Sequence, residues 1–285
     1  MAKIDETLEL LEKKRLAYKT NLKKGYIFLI FLIGIYFLIR AYSIKDEIIC
    51  IYKDKVIGYV IKKDYPDYTY NRHKKLNNSQ LFESKIINPN LGAYHFSMPR
   101  YKITGEDYVS GTLDGVNFEC SDIVYKVLTS RTDKNGNTHY SYTTRVKGRW
   151  FIFDFNKKTS SNHLLVKEAA FAMEPGFKRY KTESVKFNKK FKTLSTDQHF
   201  VFYILTPLLM IRLLDFEKRH PGKLYIAVFD NKVHIAINSF KSYMEPNLNV
   251  PFCKENLSVR KDFDEIKEII HQLKLDCDLY RSQNK

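Results

Sequence analysis

Residues 25–44, GYIFLIFLIGIYFLIRAYSI, hold the strongest hydrophobic run of the chain. Between positions 26 and 39 apolar and aromatic residues follow one another, relieved only by Gly34, and Ala41, Tyr42 and Ile44 extend the run past Arg40. The expected anchor comprises Tyr26, Ile27, Phe28, Leu29, Ile30, Phe31, Leu32, Ile33, Ile35, Tyr36, Phe37, Leu38 and Ile39. A helix needs roughly 20 residues to cross a bilayer. The uninterrupted run is shorter, but Arg40 sits near one end, where its long side chain reaches the headgroups. The pattern predicts one tilted or slightly short transmembrane helix and argues against a two-span hairpin. The stretch before it is too long for a signal-peptide n-region, and no small-x-small site follows, so a signal anchor is the better reading.

Before the run, Ile4, Leu8, Leu11, Arg15, Tyr18 and Leu22 recur at alternating spacings of four and three. That is one heptad stripe, with a charge at Arg15. Early acids (Asp5, Glu6, Glu9) and late lysines suit the helix dipole. The spacing predicts a helix over 4–22 leading straight into the span. It reads first as a helix on the membrane interface, and second as a dimer seam.

After the run, Ile48, Ile49, Tyr52, Val56, Ile57, Tyr59 and Val60 follow helical spacing, although their β-branched content admits a strand. Residues 64–78 read as a loop, and Ser79 as the cap of a short helix over 80–87, ended by Asn88-Pro89. Residues 94–155 alternate as strands, with turns at 97–100, at Leu113-Asp114-Gly115 and at Asp133-Lys134-Asn135-Gly136-Asn137. The lone Trp150 is expected to anchor the sheet. A strand pair, or a strand and turn, is expected over 177–194.

Ser195-Thr196-Asp197 then caps a helix over 198–219, whose apolar face includes Phe202, Leu205, Leu209, Leu213 and Phe216. Pro207 predicts a kink or an early break inside it. Its apolar run is too short to cross a membrane, so it is read as the central core helix. A hairpin follows around Asp230-Asn231, and a last helix over 262–275 buries Phe263, Ile266, Ile269 or Ile270, and Leu273.

The fold class expected is α+β: an N-terminal helical stem with one transmembrane helix, then a mixed β-sheet domain packed on one long helix and a C-terminal helix. The expected division is 1–24 basic juxtamembrane helix, 25–44 span, 45–92 helical and loop connector, 93–277 globular domain, 278–285 polar tail.

Composition adds less. With 44% apolar and 14% aromatic residues the chain is no disordered tail. The net charge of +16 comes from 36 Lys and only 12 Arg, with nine Ala and much Asn, Ile, Tyr and Phe. That profile fits an A+T-rich genome first, attraction to anionic lipid headgroups second, and argues against a nucleic-acid site, which favours Arg. Cys50, Cys120, Cys253 and Cys277 include no Cys-x-x-Cys pair. Six Lys or Arg precede the run within twenty residues and five follow it, so charge leaves the orientation open, with a cytoplasmic domain preferred.

No phosphate-binding loop, nucleophile elbow or metal-spaced histidine pair is present, and no cofactor or metal is expected. The weak catalytic candidates are Glu106, Asp107, Asp154, Asp197 and His199. Adjacent carboxylates at Glu106 and Asp107 would point to opposite faces of a strand. Asp197 reads more simply as a helix cap and Asp154 as a turn residue, and Glu245 as a cap or salt-bridge partner.

Five strings together resemble a known family: GEDYVSGTLDGVNFECSDI (105–123), VKGRWFIFDFNK (146–157), STDQHFVFYILTPLLMIRLL (195–214), YIAVFDNKVHIAI (225–237) and YMEPNL (243–248). The family is the bacterial domain of unknown function thirty-one thirty-seven, and the resemblance spans most of residues 46–275. It implies a membrane-associated domain on an N-terminal hydrophobic stem, with no catalytic residues to carry over. It also suggests a membrane-protein partner of the LemA type. Family members commonly look two-spanned, whereas this chain shows one run.

Three functions compete: a membrane-tethered, non-enzymatic binding or scaffold module of unknown ligand; an unrecognised membrane-associated enzyme acting on lipid, envelope or peptide; and electrostatic docking on anionic lipid or nucleic acid. The first is preferred, in a bacterial cell membrane.

Overall fold

The computed structural model describes residues 2–28, 33–155, 157, 159, 161–168, 175–220 and 222–275. The chain divides into two compact units. One comprises Met1–Arg72 with Tyr243–Ile266, the other His73–Ser242 with Lys267–Lys285. The first unit thus closes at residue 72 rather than 92 and takes in a late segment that the hydrophobic pattern assigns to the globular domain.

In the first unit, α1 (Ala2–Ile27) and α2 (Ile33–Ile51) lie side by side and antiparallel. Lys14 bonds Glu47 near one end of the pair, and Gly25 lies against Leu38 near the other, where an added Cβ would come within 2.5 Å of the leucine. The single straight helix expected over 25–44 does not form. Helix α1 ends at Ile27, α2 begins at Ile33, and Gly34 N–H donates to Phe28 O at 3.0 Å. Anchor residues Leu29, Ile30, Phe31 and Leu32 lie outside the described residues. Among the described residues no single helix is long and apolar enough to cross a membrane.

The heptad stripe is the face α1 buries, through Ile4, Leu8, Leu11 and also Arg15. It is covered by its own chain. Arg15 donates to Glu12 at 2.8 Å, and Glu12 also accepts from Phe252 N–H at 3.0 Å. Beyond Ile51 the helix widens into a π-helical turn, Tyr52–Ile57, and continues as α3 (Gly58–Asp64). Tyr52, Val56, Ile57 and Val60 are wholly buried. The Tyr52 hydroxyl lies 3.0 Å from Ser258 Oγ, and buried Lys53 reaches Glu245 at 2.9 Å. A short strand, β1 (Thr69–Asn71), lies inside the stretch expected to be loop.

The second unit contributes eight strands to one antiparallel sheet: β2 (Tyr101–Leu113), β3 (Val116–Thr132), β4 (Thr138–Asp154), β5 (Leu164–Lys167), β6 (Lys178–Tyr180), β7 (Lys192–Ser195), β8 (Lys223–Phe229) and β9 (Lys232–Asn238). Their order is β2-β3-β4-β9-β8-β5-β7-β6. The predicted turns are present. Asp114 and Gly115, and again Asp230 and Asn231, take positive φ at both central positions, the two-residue geometry that matches strand twist. Trp150, Tyr125, Tyr225, Leu165 and Ala236 meet in one core cluster with Leu81, Ile86 and Ile87.

Several local expectations change. The short helix α4 is Asn78–Glu83, capped by Asn77 through a reciprocal box with Gln80, not by Ser79. The strand pair expected over 177–194 is present as β6 against β7, with an unexpected helix α5 (Val185–Lys190) between them, because Ser184 accepts Phe187 N–H and caps a helical turn. The predicted break at Pro207 is complete. Helices α6 (Gln198–Ile204) and α7 (Pro207–Arg219) meet at 70°, with Thr206 capping the second. They bury Phe200, Ile204, Met210, Leu213 and Phe216, while Phe202 faces outward instead of joining the core. Helix α8 (Ser258–Leu273) buries both Ile269 and Ile270. The architecture is mixed α+β: N-terminal helices, a large antiparallel sheet and a C-terminal helix.

Candidate functional site

A buried polar group of the second unit gathers where β2 bulges. Pairing of β2 with β3 is regular from Tyr101 to Glu106, then slips before Val109. Asp107 absorbs the slip with φ of 57°, a left-handed conformation that Asp tolerates better than most residues. As a result Asp107, Tyr108 and Val109 are all buried, while Glu106 stays exposed. The alternation expected to send the two adjacent carboxylates to opposite faces is lost at the bulge: a carboxylate oxygen of Glu106 and one of Asp107 lie within 4.8 Å of each other.

Arg149 on β4 ties the bulge down. It is almost fully buried and donates to Asp122 Oδ1 on β3 at 2.8 Å and to the Asp107 carbonyl at 3.4 Å. A buried guanidinium is tolerable only with such partners, because desolvating an unpaired charge is costly. Tyr108 adds a bond to Glu119 at 2.8 Å and carries the Lys74 ammonium 3.8 Å from its ring centre. Burial, the largest influence, pushes the Tyr108 phenol above its usual range.

Two glycines shape the floor. A Cβ on Gly105 would meet the Asp122 carbonyl at 2.4 Å, and one on Gly148 would meet the Ile237 carbonyl at 2.1 Å. Above them lies a cleft of about 190 Å³, lined by Glu106, Asp122, Lys147, Lys241 and Ser242 among others. That is below the few hundred Å³ typical of small-molecule sites. The cleft has charged and backbone groups for recognition, but neither a nucleophile with a base beside it nor an apolar chamber to exclude water.

The other sequence candidates lie elsewhere. Asp154 closes β4 and accepts from Asn117 at 2.9 Å, five residues along β3 from Asp122, or about 17 Å of strand. Asp197 accepts Phe200 N–H at 2.7 Å as the cap of α6, and His199 is exposed on the first turn of that helix. Of the five, only Glu106 and Asp107 share a site. Sequence reasoning missed Asp122 and Arg149. Each stands inside a β pattern with no spacing that marks it, and only strand register brings them together.

A second arrangement was also invisible. His163 stacks on Phe229 at 4.2 Å, Phe229 on His234 at 4.8 Å, and Trp150 Nε1 donates to His234 Nδ1 at 3.3 Å. Burial lowers the His234 pKa to about 3, with Lys232 and His163 adding repulsion. Burial, then Lys85, lowers His163 to about 4 against an opposing hydrogen bond to the Ser84 backbone. Both imidazoles are neutral spacers at neutral pH. Among the described residues Cys50, Cys120 and Cys253 take part in no disulfide.

Residues 144–281 match the model of a family described as "Protein of unknown function (DUF3137)". That is the family the sequence strings resemble; the 105–123 string lies outside the matched span. No curated protein matches. The solved structures include a similar one, the mycobacterial trehalose monomycolate transport factor A, TtfA. It is 9% identical with a TM-score of 0.36, over 61% of this chain and 73% of that one, too distant to carry any inference.

Proposed function

We propose that this chain is a membrane-tethered, non-enzymatic binding or scaffold module, held by the joined end of its α1–α2 pair. The observation that carries the reading is the surface there. Tyr26, Ile27, Phe28, Ile33, Ile35, Tyr36, Ile39 and Tyr42 are all large, apolar or aromatic, and exposed. Soluble surfaces rarely gather so many large apolar side chains in one patch. Lys23, Lys24 and Arg40 stand at its base, exposed, where they would meet headgroups.

The geometry favours a re-entrant tether over a straight span. From Ile33 to Ile39 the helix rises about 9 Å, less than one leaflet of a roughly 30 Å hydrocarbon core. Side-by-side helices satisfy their backbone groups internally, as lipid demands. The polar bulge cleft supports recognition rather than turnover, since its Asp122 is tied to Arg149 and no activated nucleophile faces it.

The test is topological. In a background lacking the four native cysteines, Thr20→Cys, Tyr36→Cys and Ser43→Cys are labelled with an impermeant maleimide in intact and lysed cells. The tether predicts that positions 20 and 43 label from the same side and that position 36 is protected. Labelling of 20 and 43 from opposite sides would replace the tether with a span. Free labelling of all three, with the protein in the soluble fraction, would overturn membrane attachment.

A further inference from the structure

The sheet of the second unit extends into an arm where β3 and β4 run past their neighbours to the turn at Asp133–Asn137. The loop before β2 lies along it: Ala93 N–H donates to the Leu128 carbonyl at 2.8 Å, and Tyr142 OH donates to the Pro99 carbonyl at 2.8 Å. This packing presents the loop's aromatic side chains outward. Phe96 is 87% exposed and Tyr94 72%, and His95 stacks on Phe96 while meeting Tyr140 edge-on at 4.5 Å. Lys102 Nζ stands 4.2 Å from the Tyr142 ring centre and Arg100 5.7 Å from that of Tyr94.

Charge on the arm is one-sided. Residues 93–102 and 124–145 hold six cations, Arg100, Lys102, Lys126, Arg131, Lys134 and Arg145, and one carboxylate, Asp133. Asp133 is occupied in its own turn, accepting from Asn135 and Asn137 N–H at 2.9 Å each. Among the described residues none of the six cations ends on a carboxylate. A solvated lysine face produced by codon usage would not place half its charge on Arg, nor bring exposed aromatic rings beside the cations.

We infer that this arm is a second lipid contact, an aromatic and cationic patch that docks on an anionic bilayer surface independently of the α1–α2 tether. The chemistry suits that occupant. Phe and Tyr rings settle at headgroup depth while adjacent Lys and Arg meet lipid phosphates. A single-stranded nucleic acid would call for a groove that tracks its backbone, whereas Phe96 and Tyr94 stand on a protruding loop. The inference goes beyond the tether by assigning a lipid class and a different surface.

The experiment uses the full chain with phosphatidylcholine vesicles, with and without phosphatidylglycerol, across a salt series. A patch variant carries Phe96→Ser, Arg100→Ser and Lys102→Ser, and a tether variant carries Ile35→Asp and Ile39→Asp. The patch variant is expected to keep binding to neutral vesicles but to lose about 30-fold of affinity for anionic ones, since each cation near such a surface is worth roughly fivefold. The tether variant is expected to lose neutral binding and to keep salt-sensitive anionic binding. An unchanged anionic preference in the patch variant overturns the inference and leaves the tether standing. So does tighter binding of the wild-type chain to single-stranded oligonucleotide than to anionic vesicles, if the patch substitutions abolish it. Loss of neutral binding by the wild-type chain would instead refute the tether alone.

Discussion

Acid should weaken the sheet unit through its two buried imidazoles, His163 and His234, and the share of His234 can be measured by itself. Its imidazole is 1% exposed, stacked on Phe229 and accepting a hydrogen bond from Trp150, so the folded state holds it neutral with a pKa of about 3. The unfolded chain protonates it near the ordinary 6.5. Between those values the unfolded state binds more protons than the folded one, so stability rises with pH and is lost as pH falls below 6.5 toward 3. From 6.5 to 5 is 1.5 pH units, and each is worth about 1.4 kcal/mol, giving a loss of about 2 kcal/mol between pH 7 and pH 5. The assay is urea unfolding at both pH values, read through the fluorescence of Trp150, the chain's one tryptophan, which is wholly buried beside the imidazole. His234→Gln keeps an acceptor for the indole N–H but cannot titrate. It should be less stable than wild type at pH 7, yet lose about 2 kcal/mol less on going to pH 5. Other titrating groups act in both proteins and cancel in that difference. Equal losses in the two proteins would refute the buried neutral imidazole.

Other substitutions probe the remaining arguments. Gly148→Ala should cost about 2–5 kcal/mol, since β4 must move off the Ile237 carbonyl and the residue sits at a positive φ; Gly58→Ala, where a Cβ meets nothing within 4 Å, should stabilise by about 0.5–1 kcal/mol. Both show in urea midpoints. Asp122→Ala leaves the Arg149 guanidinium without its carboxylate inside the sheet and should cost about 3–5 kcal/mol by the same measurement. Asp197→Ala removes the cap of α6 and should cost about 1 kcal/mol without altering membrane binding in the vesicle assay.

Features that depend on near neighbours follow from the residues that carry them. Asp114-Gly115 and Asp230-Asn231 make tight turns because their backbones reach positive φ at low cost, whatever surrounds them. Pro207 breaks its helix because it lacks an N–H, and Asp197 caps because its oxygen reaches Phe200 N–H three residues on. The 4–22 stripe was legible as an apolar face with Arg15 as its exception, and the structure buries Arg15 with it.

What covers that stripe was decided only by tertiary structure. A heptad records that a face is buried and not which surface buries it, and here α2 folds back on α1 where a straight span was expected. The bulge site depends equally on distant pairing. Asp107, Asp122 and Arg149 stand on three strands, and Asp122 meets Arg149 because β3 and β4 register there. Strand β5 and helix α5 were missed for the same reason. A four-residue buried strand has too little pattern to stand out, and a six-residue helix holds mainly through its cap and the burial of Phe187. Local backbone preference is written residue by residue, whereas the partner of a buried charge or an apolar stripe exists only once the chain has closed on itself.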